Sequence, residues 1–438
     1  MDDVSTRMGP EPEFCDLPCE LQLRVLSYLS LGELVLVARV SKALRRLAYD
    51  PWLWRTVTVR EDMDDRWLQS ALDRLSQLEA LTLRRSPLVP AWAAHAARFP
   101  KLRLLDVGCS LDVNGAVLSH FVDGCPLLSH VNVEGCKGVD DATVEALCSL
   151  TGLVSVNVSH CCQVTDDGLL ALARGCPRLV SLNADGISRI TDRAVCGLAE
   201  HLGPQLVCLE LDGELLTDAS FKALRRCSRL ETLFVSYTES LTDASLASIK
   251  ELRTLRRLKL RASLQLTASG LGSLFREGSL GRLISLELDM ELDDQALALL
   301  VKGCPLLQVL SLYSYGDITE VGLATIVNNC PNLESLVLPG PYEVQRLCLA
   351  GLVVSMPKLR HLHLDLIEMV DDPLLESLTR RLPHLRVYNS HGQLLVPLCE
   401  SSGAPSLGKN GLQAVGGRCP SSAKLAVESG LFSRSLGH

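Results

Sequence analysis

Three groupings of side chains have types and spacings that could do chemistry. Ser159, His160 and Asp166 supply the residue types of a hydrolase triad, but no nucleophile elbow or glycine-rich oxyanion loop accompanies them. His361, His363 and Asp365 alternate along one run, and a His-x-His-x-Asp strand can present zinc or iron ligands on one face. Ordinary strand alternation also produces such triples, no fourth ligand is evident, and no metal site is expected. Arg257, Lys259 and Arg261 alternate in the same way, and three cations on one face can hold a carboxylate cluster or a phosphorylated segment. With Phe234, Tyr237 and Tyr313 nearby they form a candidate substrate-binding hot spot, because aromatics and arginine dominate interface energetics. The same row could instead neutralise Glu287 and Asp289 on the following strand; both readings stay open. No phosphate-binding loop or dinucleotide glycine fingerprint occurs, so neither a catalytic residue nor a cofactor is expected.

Those residues are positioned by a recurring unit, seen clearly from Leu153 to Pro177. Val156 and Val158 alternate with polar residues, the period of a strand with one buried face. Thr165 is then placed to cap a helix, and Asp166 and Asp167 suit its positive start. Leu169, Leu172 and Ala173 share one helical face, and Gly175-Cys176-Pro177 stops the helix. Such a unit cannot close a core alone and must stack on copies of itself. Strand starts recur at Leu78, Leu102, Leu128, Leu153, Leu179, Leu206, Leu230, Leu255, Leu283, Leu307, Leu333, Leu359 and Leu385, thirteen units spaced by 24 to 28 residues. In each strand the residues between the core positions line the opposite face. Along the array that face runs from polar and acidic, with Asn132, Asn157, Asn183, Glu210 and Asp212, to the basic row.

The repeat also accounts for the 17 cysteines. Cys125, Cys176, Cys227, Cys304 and Cys330 sit three residues before a strand's first leucine, where other units carry Phe99, Leu150, Leu252, Leu280, Met356 or Leu382. A position that exchanges Cys for Leu, Phe and Met is a packing position. No C-x-x-C pair occurs, so zinc binding by cysteine is not expected.

The net charge of −8 over 438 residues argues against nucleic-acid or anionic-membrane binding. Residues 1–13 are acidic and proline-containing, a disordered tail with no secretory signal. No apolar run reaches the length of a membrane span. Cytoplasmic or nuclear residence, or both, is expected.

Residues 14–58 follow a different pattern. Leu21, Val25, Leu26 and Leu29 make a helical stripe, Leu34 and Val37 a second, and Val40, Leu44 and Leu47 a third. Three helices in so short a stretch bury little surface, so the segment should lean on a partner or on the next domain. Leu17-Pro18 with Glu20-Leu21, Leu26-Ser27-Tyr28-Leu29, Leu31, Glu33-Leu34, Val40-Ser41-Lys42 and Asp50-Pro51-Trp52-Leu53-Trp54 match, in order, the pattern of the F-box, and the segment resembles that family. One departure is Leu44, where the family often has Trp. The resemblance implies docking on the Skp adaptor of SCF-type ubiquitin ligases, which carries cullin and RING subunits. It assigns that contact to Leu17, Pro18, Leu21, Leu26, Leu29, Leu34, Val40, Ser41, Leu44, Pro51 and Trp54.

The repeats resemble the cysteine-containing leucine-rich repeats that often accompany an F-box. The expected fold is α/β: a three-helix F-box, a linker or first capping helix over 59–77, and a curved solenoid over 78–395 with parallel strands on the concave face and helices on the convex face. Residues 396–438 read either as a flexible tail or as a degenerate last repeat, since 411–420 align with the helical stretch 168–177. The two resemblances together imply a non-catalytic substrate-recognition subunit of a ubiquitin ligase. The alternative is a repeat scaffold or inhibitor acting without ubiquitin transfer.

Overall fold

The computed structural model describes residues 14, 17–59, 65–262, 265–313, 318–338, 355–364, 378, 380, 382–388, 393–396 and 413–418. The chain divides into two compact units, residues 1–179 and 180–438.

The first unit opens with three short helices, α1 (Cys19–Leu26), α2 (Leu31–Val37) and α3 (Lys42–Ala48). Ser30 and Glu33 form a reciprocal capping box at the start of α2, and Ser41 accepts the Leu44 N–H at the start of α3. Leu26, Leu34, Ala38 and Ala48 form their buried core, with Phe14, Leu29, Leu47 and Leu53 packed partly against it. A 3₁₀ turn, Pro51–Trp54, runs directly into strand β1 (Thr56–Thr58). β1 pairs in parallel with β2 (Ala80–Thr82), followed in the ladder by β3 (Leu104–Asp106), β4 (His130–Asn132) and β5 (Ser155–Asn157). The strand ladder therefore starts inside the stretch assigned to the F-box. The interval 59–77 holds a helix, Asp65–Ala71, and a 3₁₀ turn, Leu72–Gln77.

The second unit continues the pattern with β6 (Ser181–Ala184), β7 (Cys208–Asp212), β8 (Thr232–Ser236), β9 (Arg257–Leu260), β10 (Ser285–Leu288), β11 (Val309–Leu312), β12 (Ser335–Leu338), β13 (His361–Leu364) and β14 (Arg386–Tyr388), all parallel. Leu209, Leu211, Leu258 and Leu260 are fully buried on the core side. Helices such as Asp192–His201, Asp218–Leu224 and Asp294–Gly303 return the chain to the next strand. After β14 the direction changes. β15 (Gln393–Val396) and β16 (Gln413–Arg418) add antiparallel strands. Residues 413–418 are thus a strand where the alignment with 168–177 implied a helix. The stretch pairs antiparallel with β15, so its backbone hydrogen bonds go to a neighbouring strand and not along a helix.

Successive repeats are joined by a ladder of Thr–Asp hydrogen bonds. The Thr217 hydroxyl caps its own helix by accepting the Ala219 N–H at 3.2 Å. Its N–H and O–H donate to both oxygens of Asp192, one repeat earlier, at 2.9 and 2.6 Å. Asp218 with Thr242, Asp243 with Thr267 and Asp294 with Thr319 repeat the arrangement. In the first unit Asp141 and Thr165 do the same. Cys125, Cys176, Cys227, Cys304 and Cys330 are all buried. Burial pushes the Cys125, Cys227 and Cys304 thiols up to about 12, so they pack as neutral apolar groups. Among the described residues no helix is long and apolar enough to cross a membrane.

Candidate functional site

Within the helical module, burial sorts the expected contact residues into two sets. Leu26, Leu34 and Trp54 are buried in the chain's own interior and hold the helices together. Leu17, Leu29 and Leu44 are half-buried, while Pro18, Leu21, Val40, Ser41 and Pro51 face solvent. The Ser41 hydroxyl is engaged as the α3 cap, accepting the Leu44 N–H at 3.1 Å. Four further apolar side chains are exposed: Val25, Tyr28, Leu36 and Trp52, with Tyr28 at 82% and Leu36 at 60%. Leu21, Val25 and Tyr28, spaced by four and three, share one side of α1 and its exit. The same helix buries Leu26 on another side. An apolar helix with two apolar faces was a signal that one of them lacks a cover. Next to this surface lies a recess of about 820 Å³ lined by Leu29, Leu31, Leu36, Trp52 and Thr56 among others.

The strand face of the second unit is built by register. Asn183, Glu210, Phe234, Lys259, Glu287 and Ser311 stand side by side across β6 to β11. Lys259 is 8% exposed and Glu287 2%. The Lys259 ammonium lies 5.8 Å from the Phe234 ring centroid and opposite Glu287. The Arg261 guanidinium covers the Tyr313 ring at 4.2 Å. Asp289 accepts the Ala262 N–H at 3.4 Å. The structure therefore brings Phe234, Lys259, Glu287, Arg261, Tyr313, Arg257 and Asp289 onto neighbouring strands. Lys259 stands in register with Glu287 on the next strand, while Arg257 and Arg261 remain partly exposed, so both readings of the basic row stay open.

Burial first, and the Asp185 charge second, push the Glu210 carboxyl up to about 7 against the pull of Lys259. The Asn183 side-chain amide donates to it at 2.8 Å. Tyr237 lies past the end of β8 in a left-handed conformation, φ 56°, with its side chain exposed.

That conformation belongs to a recurring strand-exit turn. Arg85, Cys109, Gly135, His160, Gly186, Tyr237 and Ala262 all take positive φ at equivalent places. Asp106, Asn132, Asn157 and Asn183 each accept the backbone N–H two residues on, from Gly108, Glu134, Ser159 and Asp185. Asn132, Asn157 and Asn183, expected to line a binding face, are thus partly committed to shaping the turn. The Ser159, His160, Asp166 grouping dissolves in the same way. Ser159 is buried, His160 is exposed in the turn, and Asp166 lies in the first turn of a helix. His361 and His363 stack on Tyr388 with centroids 6.1 and 4.6 Å away. Burial, with the His361 charge second, holds His363 down at about 4, so it is neutral near pH 7. Asp365 lies outside the described residues. Among the described residues no three His, Cys, Asp or Glu side chains are placed to hold a metal.

Residues 14–60 match the F-box-like family model. The F-box/LRR-repeat protein 9 of Arabidopsis thaliana is 26% identical over 230 residues, covering 51% of this chain and 87% of the relative. The DNA repair protein rhp7 of Schizosaccharomyces pombe is 28% identical over 200 residues, covering 43% of this chain and 35% of the relative. Among solved structures, the yeast complex of Rad7 and Elc1 superposes with a TM-score of 0.45 at 17% identity, covering 75% of this chain and 83% of the other. An internalin of Listeria monocytogenes gives 0.46 at 20% identity, covering 72% and 81%.

Proposed function

We propose that this chain, a member of the F-box/leucine-rich-repeat family, recruits target proteins to an SCF-type ubiquitin ligase in the cytosol or nucleus. The observation that carries the reading is the uncovered apolar surface of a module that also matches the F-box-like model. Leu21, Val25, Tyr28, Leu36, Val40 and Trp52 lie exposed beside a recess, and a helical Skp-type adaptor would bury them. The strand face, with Arg257, Arg261, Tyr237 and Tyr313 as its accessible polar and aromatic groups, would hold the target. The adaptor, through its cullin and RING partners, then brings a ubiquitin-loaded conjugating enzyme to the target's lysines. Transfer proceeds by proximity and draws no nucleophile from this chain.

Co-purification of the full chain with a Skp-type adaptor tests the reading. Val25→Asp with Tyr28→Asp, two exposed positions, should reduce capture at least a hundredfold and leave the melting temperature within about 2 °C of wild type, as surface substitutions do. Wild type that captures no adaptor, or a double variant that captures it normally, overturns the proposal. Capture without ubiquitin transfer to any bound protein returns the chain to a scaffold.

A further inference from the structure

We infer that Trp67 is a positioning residue that locks the adaptor-binding helices to the first repeats, so that the module and the start of the array act as one rigid piece. The functional half of this inference rests on the reading just proposed. The structural half does not.

The helical module has too little interior to stand alone. Its helices are 8, 7 and 7 residues long, below the length at which isolated helices persist, and four side chains make up its buried core. What extends that core is a column of aromatic rings. Tyr49, at the end of α3, meets Trp54 edge-on with centroids 6.4 Å apart. Trp54 donates its indole N–H to the Ala48 carbonyl at 2.9 Å, which ties it to the same helix end. Its ring stacks on Trp67 at 6.2 Å and 29°. Trp67 in turn meets Trp92 at 6.4 Å, and Trp92 meets Phe99 at 5.7 Å. The column thus runs from the module through the helix Asp65–Ala71 into the helical side of the first repeat. Arg74 closes its side, with the guanidinium 3.8 Å from the Tyr49 centroid and 5.4 Å from that of Trp54.

Trp67 holds the middle of this column. It sits on the helix Asp65–Ala71, between β1 and β2, and is the ring that meets Trp54 on one side and Trp92 on the other. Trp54, Trp92 and Phe99 are fully buried, so neither end can shift to close a gap. Trp67 belongs neither to the exposed α1 surface nor to the strand face. Its removal therefore leaves the surfaces proposed for adaptor and target in place and loosens the joint between module and repeats.

The test uses the full chain with Trp67→Ala, and Trp67→Phe as the conservative variant. Limited trypsinolysis reads the joint directly. Trp67→Ala should be cut at Arg66 at least tenfold faster than wild type, and Trp67→Phe within threefold of it. In a ligase reconstituted with adaptor, cullin, RING protein and conjugating enzyme, self-ubiquitylation of the chain serves as the probe. Trp67→Ala should bind adaptor within twofold of wild type yet lose at least fivefold in self-ubiquitylation rate, with Trp67→Phe restoring it. A merely structural defect would lower adaptor binding in parallel. If Trp67→Ala is insoluble, Trp67→Leu, which keeps apolar volume and loses the ring stack, carries the same comparison. Wild-type cleavage together with wild-type self-ubiquitylation in the ring-deleting variant overturns the inference. A wild-type chain that captures no adaptor sinks the proposed function, while the cleavage comparison still decides whether the joint exists.

Discussion

Asp218 shows how much one side chain carries in this architecture. It begins one helix and, through the Thr242 N–H, the Thr242 hydroxyl and the Ser245 hydroxyl, anchors the start of the next. Ser245 is buried, so Asp218→Ala leaves a hydroxyl without its acceptor and frees a backbone N–H. The expected loss is about 1–3 kcal/mol. Burial raises the Asp218 carboxyl, but the donors from Ser245 and Thr242 outweigh it and hold the group below the ordinary carboxylate range. A depressed pKa means the stabilisation is complete above the unfolded value, about 4, and fades as pH falls through the folded one. The difference between wild type and Asp218→Ala in urea midpoints should be full at pH 7 and shrink below about pH 4. The threonine cap was readable from the sequence, because Thr165-Asp166 and its counterparts mark helix starts. The acceptor was not, because Asp192 and Thr217 lie a whole repeat apart and nothing in local pattern links them.

At the scale of strands, register decides which charges meet. Lys259 lies opposite Glu287, and both are nearly buried. Lys259→Glu places two carboxylates side by side with little water and should cost about 3 kcal/mol, in the range for an uncompensated buried charge. Glu287→Lys in the same chain should recover more than half of that loss in a double-mutant cycle followed by circular dichroism. Alternation in RLKL made the shared face of Arg257 and Lys259 legible. The burial of Lys259 was not, because it depends on how Phe234 and Glu287 flank it from other strands. The opening strand escaped for a simpler reason. Thr56-Val57-Thr58 offers a single inward side chain, Val57, and lacks the leucine column that marks the later strands. Val25 and Tyr28 were legible as apolar but not as exposed, since a helical stripe does not say which side of a small module is covered.

For the whole molecule, elements pack against their neighbours in sequence, and stability in such stacks is a sum of local and nearest-neighbour contributions. Residues 1–179 and 180–438 form separate compact units. All four tryptophans, at positions 52, 54, 67 and 92, lie in the first. Denaturant unfolding followed by tryptophan fluorescence should therefore report the first unit, and far-ultraviolet circular dichroism both. The two curves should differ in midpoint by more than measurement error; coincident curves would show one cooperative transition instead.

The Thr–Asp ladder has a consequence for how such a chain can change length. Five joints are made by the same two residue types, with an acceptor supplied by one unit and a donor pair by the next. A gene duplication that copies one whole period meets matching chemistry at both of its seams, whereas a copy of part of a period strands an acceptor on one side and a donor on the other. Where these joints occur, growth of the array by whole units leaves each acceptor facing a donor pair.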